Sequence, residues 1–212
     1  MRVLAVNASP RRDGNSALLL SAAVEGAVAA LHEVTTIFLG DWVDGMLDDC
    51  RTCRGIDGHC TIPDRYGSLL IDHVLPADGL LIATPLHYYG MTARLKAFFD
   101  RVFCYTSSAA PQAEDVLPAL PGKRIGLLVT SEETYPSAPL GLVHQAQEIA
   151  RYQRQHLVGV VHGHGNSRGE VALDPDQPVD RARRLGAALF TLPVSDYEFD
   201  TPRGHCVWAS GC

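Results

Sequence analysis

Apolar residues follow two alternating rhythms along the chain. Short apolar-rich segments stand at 3–6, 34–39, 79–84, 124–130 and 157–162. Runs of this length, closed by polar residues, predict strands buried on both faces. Between them the spacing changes to three and four. Leu19, Ala23, Gly26 and Ala30 mark one narrow face of a helix opening near Ser16. Its small residues predict a helix axis lying close to a sheet. Tyr66, Leu69, Leu70, His73 and Val74 take the i, i+3, i+4, i+7 and i+8 places of a helix over 64–74, which Pro76 stops. Leu95, Phe98, Phe99, Val102 and Phe103 repeat that spacing. Leu142, Ala146, Ile149 and Gln153 line a helix over 140–156, and Leu185, Ala188, Leu189 and Leu192 line a last one with Pro178 near its start.

Five apolar strands alternating with helices predict βαβ units and a parallel sheet covered on both faces. The expected fold is α/β: a three-layer flavodoxin-like sandwich with a five-stranded parallel sheet in order 2-1-3-4-5. Residues 1–192 form this domain. Residues 193–212 carry no period and read as a C-terminal extension lying across the surface or a partner chain. The stretch 40–61 has no clear periodicity and holds three cysteines.

Composition narrows the function classes. With 212 residues, 46% hydrophobic and 20% charged, the chain suits one domain with a sizeable core. A net charge of −6 argues against bulk nucleic-acid binding, which needs a basic patch. No run approaches the roughly 20 apolar residues of a membrane span. The first apolar run turns polar at Asn7, too early for a signal peptide's apolar region. The expectation is a soluble cytoplasmic protein, in which the six cysteines are free, redox-active or metal-bound.

Ligands of an open parallel sheet bind beyond the strand carboxyl ends, where strand order reverses. This singles out the loops 9–16, 85–91 and 131–135. The first leads into a helix N-terminus, whose unpaired amides and dipole favour an anion. Ser9, Asn15 and Ser16 offer donors, Gly14 permits close backbone approach, and Arg11 brings charge. The same residues also suit an ordinary capped turn, with Asn15 or Ser16 as N-cap. Neither a Walker loop nor a dinucleotide fingerprint is present. The second loop places His87, Tyr88, Tyr89 and Met91 just past a buried strand. Such rings suit a flat heteroaromatic ligand, or alternatively cap the core or form a dimer contact.

Three segments together, Ser9-Pro10-Arg11 with Gly14-Asn15-Ser16, Thr84 to Met91, and Leu95 to Arg101, resemble the NADPH-dependent FMN reductase family. The nearest branch is that of the iron–sulfur flavoproteins, and the similarity in element order runs to about Leu192. The resemblance implies that Ser9, Arg11, Asn15 and Ser16, with Gly14 in the same loop, hold the FMN phosphate. It implies that Pro85, Leu86, His87, Tyr88, Tyr89 and Gly90 line the ribityl chain and flavin ring, and by position it adds Ser131. His87 departs from the tyrosine often found there. Lys96, Asp100 and Arg101 match structural or subunit-contact positions. The implied activity passes a hydride from NADPH or NADH through FMN to a small acceptor such as a flavin, a quinone or another conjugated molecule. A homodimer is implied as well. No acid or base residue is required, because the cofactor carries the chemistry.

The iron–sulfur branch carries four close cysteines, whereas this chain has Cys50, Cys53 and Cys60 with Ile56 where another is expected. A cubane cluster normally takes four thiolates, so the expectation is no metal. Cys206, Cys212 or His59 could complete a cluster or zinc site, Cys50 and Cys53 could form a redox dithiol, or the loop could simply pack. Cys104 reads as a buried small hydrophobe, His162 and His164 as loop histidines, and Glu132-Glu133 as solvated carboxylates. Two rival classes stand beside the oxidoreductase. One is an electron carrier serving protein partners; the other is a binding module without cofactor.

Overall fold

The computed structural model describes residues 1–49, 52–107 and 109–194. Its sheet holds five parallel strands in the order β2-β1-β3-β4-β5. The strands are β1 (Arg2–Asn7), β2 (Glu33–Phe38), β3 (Gly79–Pro85), β4 (Arg124–Ser131) and β5 (His156–His164). Alternation along β1 sends Val3 and Ala5 to one face and Leu4 and Val6 to the other. On the first face, α1 (Asn15–Ala29) and α7 (Pro178–Ala188) cover the sheet. The second face is covered by α2, a turn at Tyr66–Ser68 continued by the π-helical stretch Leu69–Val74, with α3 (Ala93–Asp100) and α6 (Leu140–Tyr152). Two short helices follow α3, α4 (Phe103–Thr106) and α5 (Ala113–Ala119).

The expected strand order and all five strands are present, and the differences have local causes. The small face of α1 packs on the sheet as expected and also meets α7. A Cβ added at Gly26 would stand 1.9 Å from the carbonyl oxygen of Arg183, and one at Gly186 would stand 1.8 Å from that of Ala23. The helix expected over 140–156 ends at Tyr152, because Arg154 turns left-handed at φ +55° and the chain enters β5 at His156. The apolar spacing from Leu95 to Phe103 spans two helices: the amides of Cys104 and Tyr105 bond three residues back, to Arg101 and Val102, and tighten the chain. The expected C-terminal extension lies outside the described residues from Ser195 onward.

Arg101 is buried beneath this junction. Its guanidinium pairs with the Asp64 carboxylate, the two side chains being 1% and 4% exposed, and lies 4.4 Å from the Tyr66 ring centroid. Lys96 and Asp100 form a pair one helical turn apart, with Nζ 2.7 Å from Oδ2.

Candidate functional site

All strands deliver their carboxyl ends to one edge, and the order reverses between β1 and β3. Every expected site residue except Gly90 lines a single cavity there of about 560 Å³. Thr130, Gly165 and Asn166 line it as well, together with Glu132 and Glu133.

The first loop is held from within. Asn7, the last residue of β1, accepts from the Ser9 amide at 3.1 Å and donates to the carbonyl oxygen of Arg12 at 3.2 Å. Ser9 Oγ in turn accepts from the Arg11 amide at 3.1 Å. Thr92, the N-cap of α3, donates to the Ala8 carbonyl oxygen at 3.1 Å and accepts from the Leu95 amide. The N-cap of α1 is Gly14, which offers no side-chain cap, and no acidic residue occupies the first turn. The amides of that turn therefore keep their preference for an anion.

Neither Asn15 nor Ser16 acts as the cap. The Asn15 amide group donates to the carbonyl oxygens of Gly165 and Ser167 at 2.9 and 3.0 Å, and Oδ1 accepts from the Gly169 amide at 2.8 Å. Its side chain thus fastens the loop after β5 to the start of α1. Ser16 Oγ lies 2.7 Å from Thr130 Oγ1, joining the loop to β4. Arg11 is exposed and, among the described residues, has no carboxylate partner, whereas Arg12 pairs with Asp41.

The second loop folds as a two-residue turn. The amides and carbonyls of His87 and Gly90 bond reciprocally at 3.1 and 3.0 Å, while Tyr88 and Tyr89 both take positive φ, +48° and +64°. This turn type favours Asn-Gly or Gly-Gly, so two tyrosines there hold a strained backbone. Gly90 closes the turn and leaves the cavity wall to its neighbours. Tyr88 is fully exposed and Tyr89 half exposed. The neighbouring Tyr89 side chain pushes the phenol of Tyr135, on the third loop, up to about 12.

Ser131 begins the third loop and anchors it. Its Oγ lies 2.8 Å from the carbonyl oxygen of Glu133 and 2.7 Å from His162 Nε2. His164 Nδ1 donates to the same carbonyl at 2.8 Å, and the two imidazole centroids are 4.4 Å apart. Burial, then the neighbouring His164, pushes the His162 pKa down. These histidines, read from the sequence as ordinary loop residues, brace the loop that lines the cavity.

The cysteines form a separate group. Residues 53–61 fold as a small hairpin in which Arg54 pairs with Cys60, and exposed Ile56 lies in its connecting turn. Cys104 is buried as expected, but its Sγ lies 3.8 Å from Cys53 Sγ, so it belongs to a thiol group rather than to the apolar core alone. Cys60 Sγ lies 3.8 Å from Arg101 Nη2. Cys50, Cys206 and Cys212 lie outside the described residues. Among the described residues, no three His, Cys, Asp or Glu side chains are arranged to hold a metal.

A doubly wound parallel sheet with an uncapped helix start and an aromatic turn at its switch point defines a flavodoxin-like α/β protein. The chain belongs to the family Flavodoxin_2, described by its flavodoxin-like fold, which matches residues 1–184. It is 26% identical over 185 residues to the Bacillus subtilis protein YwqN, whose name describes an NAD(P)H-dependent FMN-containing oxidoreductase; the match covers 87% of this chain and 96% of YwqN. It is also 26% identical over 209 residues to an iron–sulfur flavoprotein of Archaeoglobus fulgidus, covering 94% of this chain and 84% of that one. An FMN-dependent NADH-azoreductase from Bacillus anthracis, solved with FMN, shares the fold with a TM-score of 0.62 and 16% identity, over 88% of this chain and 96% of its own.

Proposed function

We propose that this protein is an NAD(P)H-dependent FMN oxidoreductase that delivers reducing equivalents to a small conjugated acceptor such as a flavin or quinone. The observation that carries the reading is the opening of two features into one cavity: the uncapped N-terminus of α1 and the strained Tyr88–Tyr89 turn. The first suits a phosphate and the second a planar ring. About 560 Å³ falls within the usual range of cofactor and ligand pockets, roughly 300–1,000 Å³.

In this reading the first-turn amides of α1 and the Ser9 hydroxyl receive the FMN phosphate, and Arg11 adds a positive charge. Asn15 and Ser16 act by position, holding the cradle against the loop after β5 and against β4. Pro85, Leu86 and His87 line the ribityl path. Tyr88 and Tyr89 flank the ring, with Gly90 setting their turn, and Ser131 holds the opposite loop. When bound, FMN supplies hydride acceptance and donation at its ring, so the protein's work is to bind, orient and keep water away. A smaller hollow of about 310 Å³ shares Pro10 and His87 with the main cavity and includes apolar Val43 and Met46, giving an apolar acceptor a neighbouring seat.

The same reading takes the protein to be a cytoplasmic homodimer. Support comes from an apolar hollow of about 350 Å³ between α3 and α6, lined by Phe99, Phe103, Ile149 and Tyr152, and from exposed Leu140 at the start of α6. The thiols of Cys53, Cys60 and Cys104 are free, which suits a reducing compartment. Anaerobic rapid mixing of the FMN-loaded protein with NADPH and NADH tests the activity. Loss of flavin absorbance with one or both donors, restored by a quinone, is the expected result; no loss with either removes the reading. Light scattering on the eluted protein tests the dimer.

A further inference from the structure

We propose that Cys53 and Cys104 form an intrachain disulfide on exposure to peroxide, a modification that ties the 53–61 hairpin to α4. The two sulfurs are already neighbours at 3.8 Å, although the residues are 51 positions apart. Closing to the roughly 2.05 Å of a disulfide needs a movement on the scale of side-chain rotation. Both backbones are held in place for it. Arg54, next to Cys53, donates from Nη2 to the carbonyl oxygens of Phe103 and Cys104 at 3.3 and 3.1 Å. The hairpin is closed by the Thr61 amide bonding to the Cys53 carbonyl at 2.9 Å, and His59 at its far side contacts Gln112. The hairpin therefore sits on α4 with its first thiol above the second.

The two thiols differ in a way that sets the order of events. Cys53 is partly exposed, whereas Cys104 is 1% exposed. Burial first, then the adjacent Cys60 and Cys53, pushes the Cys104 thiol up and keeps it protonated. Peroxide thus meets Cys53 first: an S–O bond forms, the O–O bond breaks, and water leaves, giving a sulfenic acid. The Cys104 sulfur then attacks the Cys53 sulfur. The S–S bond forms, and the departing hydroxide takes the Cys104 proton as a second water. In sum, two thiols and one hydrogen peroxide give one disulfide and two waters; the thiols lose two electrons and the peroxide gains them. This pairing is independent of flavin binding. It also differs from a dithiol between Cys50 and Cys53, since the partner lies on a different element.

The test uses the full chain, reduced and then treated with equimolar hydrogen peroxide. Remaining thiols are alkylated under denaturing conditions, and the peptides are mapped by mass spectrometry with and without reductant. The expected result is a reductant-sensitive peptide joining Cys53 to Cys104 and loss of two of the six thiols. Cys60→Ser is expected to keep the crosslink. Cys104→Ala is expected to abolish it and leave a Cys53 sulfenic acid trapped by dimedone; Cys53→Ser, at the more exposed position, checks the loss should Cys104→Ala fold poorly. A crosslink from Cys53 to Cys50 or Cys60, full alkylation of both residues after peroxide, or co-purified iron that blocks Cys53 would each overturn the proposal.

Discussion

Ser131 Oγ stands 2.7 Å from His162 Nε2 and 2.8 Å from the carbonyl oxygen of Glu133. A carbonyl only accepts, so the single hydroxyl proton goes to Glu133 and the imidazole must donate from Nε2. His164 donates to the same carbonyl from Nδ1. Both imidazoles can meet these bonds while neutral, and a second positive charge 4.4 Å away would be repelled. Burial and His164 accordingly hold the His162 pKa below its ordinary value of 6.5. Asp174 opposes this shift, and its carboxylate is fixed by the His164 amide at 2.6 Å.

The pH consequence follows from that direction. A histidine with a depressed folded-state pKa contributes its full stability above the unfolded value of 6.5. The contribution is lost as pH falls through the folded-state pKa, because the unfolded chain takes up the proton first. Melting temperatures measured from about pH 8 to about pH 5 should therefore decline more in the wild type than in His162→Gln, which keeps a side-chain donor without the titration. Parallel declines would show that His162 does not couple to folding.

The phosphate cradle can be separated from the ring site by ligand choice. Arg11→Ala should weaken FMN about tenfold, or roughly 1.4 kcal/mol, while leaving riboflavin nearly unaffected. Fluorescence titration with both ligands reads the ratio directly. Equal losses for the two would place Arg11 elsewhere.

The tyrosine turn trades stability for shape. Replacing Tyr88→Asn together with Tyr89→Gly puts residues suited to positive φ at +48° and +64°. Relief of left-handed strain, of order 1–2 kcal/mol per residue, should stabilise the cofactor-free protein in urea denaturation. The same double variant loses both rings and should bind FMN several-fold more weakly. A less stable variant would mean that the rings hold the fold rather than the ligand.

Two core devices are open to simple substitution. Arg101→Met leaves the Asp64 carboxylate buried without its partner, and breaking such a pair costs about 3–5 kcal/mol. Burial opposes charge on Asp64, yet Arg101 and the amides of Gly45, Asp44 and Tyr66 hold its pKa below 3.8. Gly26→Ala and Gly186→Ala each drive a methyl into the opposing helix backbone and should cost about 1–3 kcal/mol or more. Equilibrium denaturation measures all three, and a neutral Gly26→Ala would contradict the close crossing of α1 and α7.

The central strands were legible because burial on both faces writes them as apolar runs, as at Gly79–Pro85, whereas the edge strand Glu33–Phe38 is largely exposed. The first and second loops were legible because punctuation by Pro and Gly and a cluster of rings stand out beside such runs. What escaped were relationships between distant residues. The face of Gly26 and Ala23 was visible, but nothing local says that a second helix shares it with the sheet. Asn7 looks like the polar end of a strand, although its side chain organises the cradle. Asn15 is a natural cap by type, yet its side chain is engaged with Gly165, Ser167 and Gly169, some 150 residues onward. Cys104 looked like one more apolar position because its neighbour, Cys53, arrives from another element.

Binding of FMN tests the central claim most directly. The purified chain, incubated with FMN and freed of excess by gel filtration, should retain about one flavin per chain and show two resolved visible bands. It should lose that flavin more readily in Arg11→Ala. A protein that emerges colourless, with no change in ring fluorescence on titration, would contradict the account of the cavity at the carboxyl edge of β1 and β3.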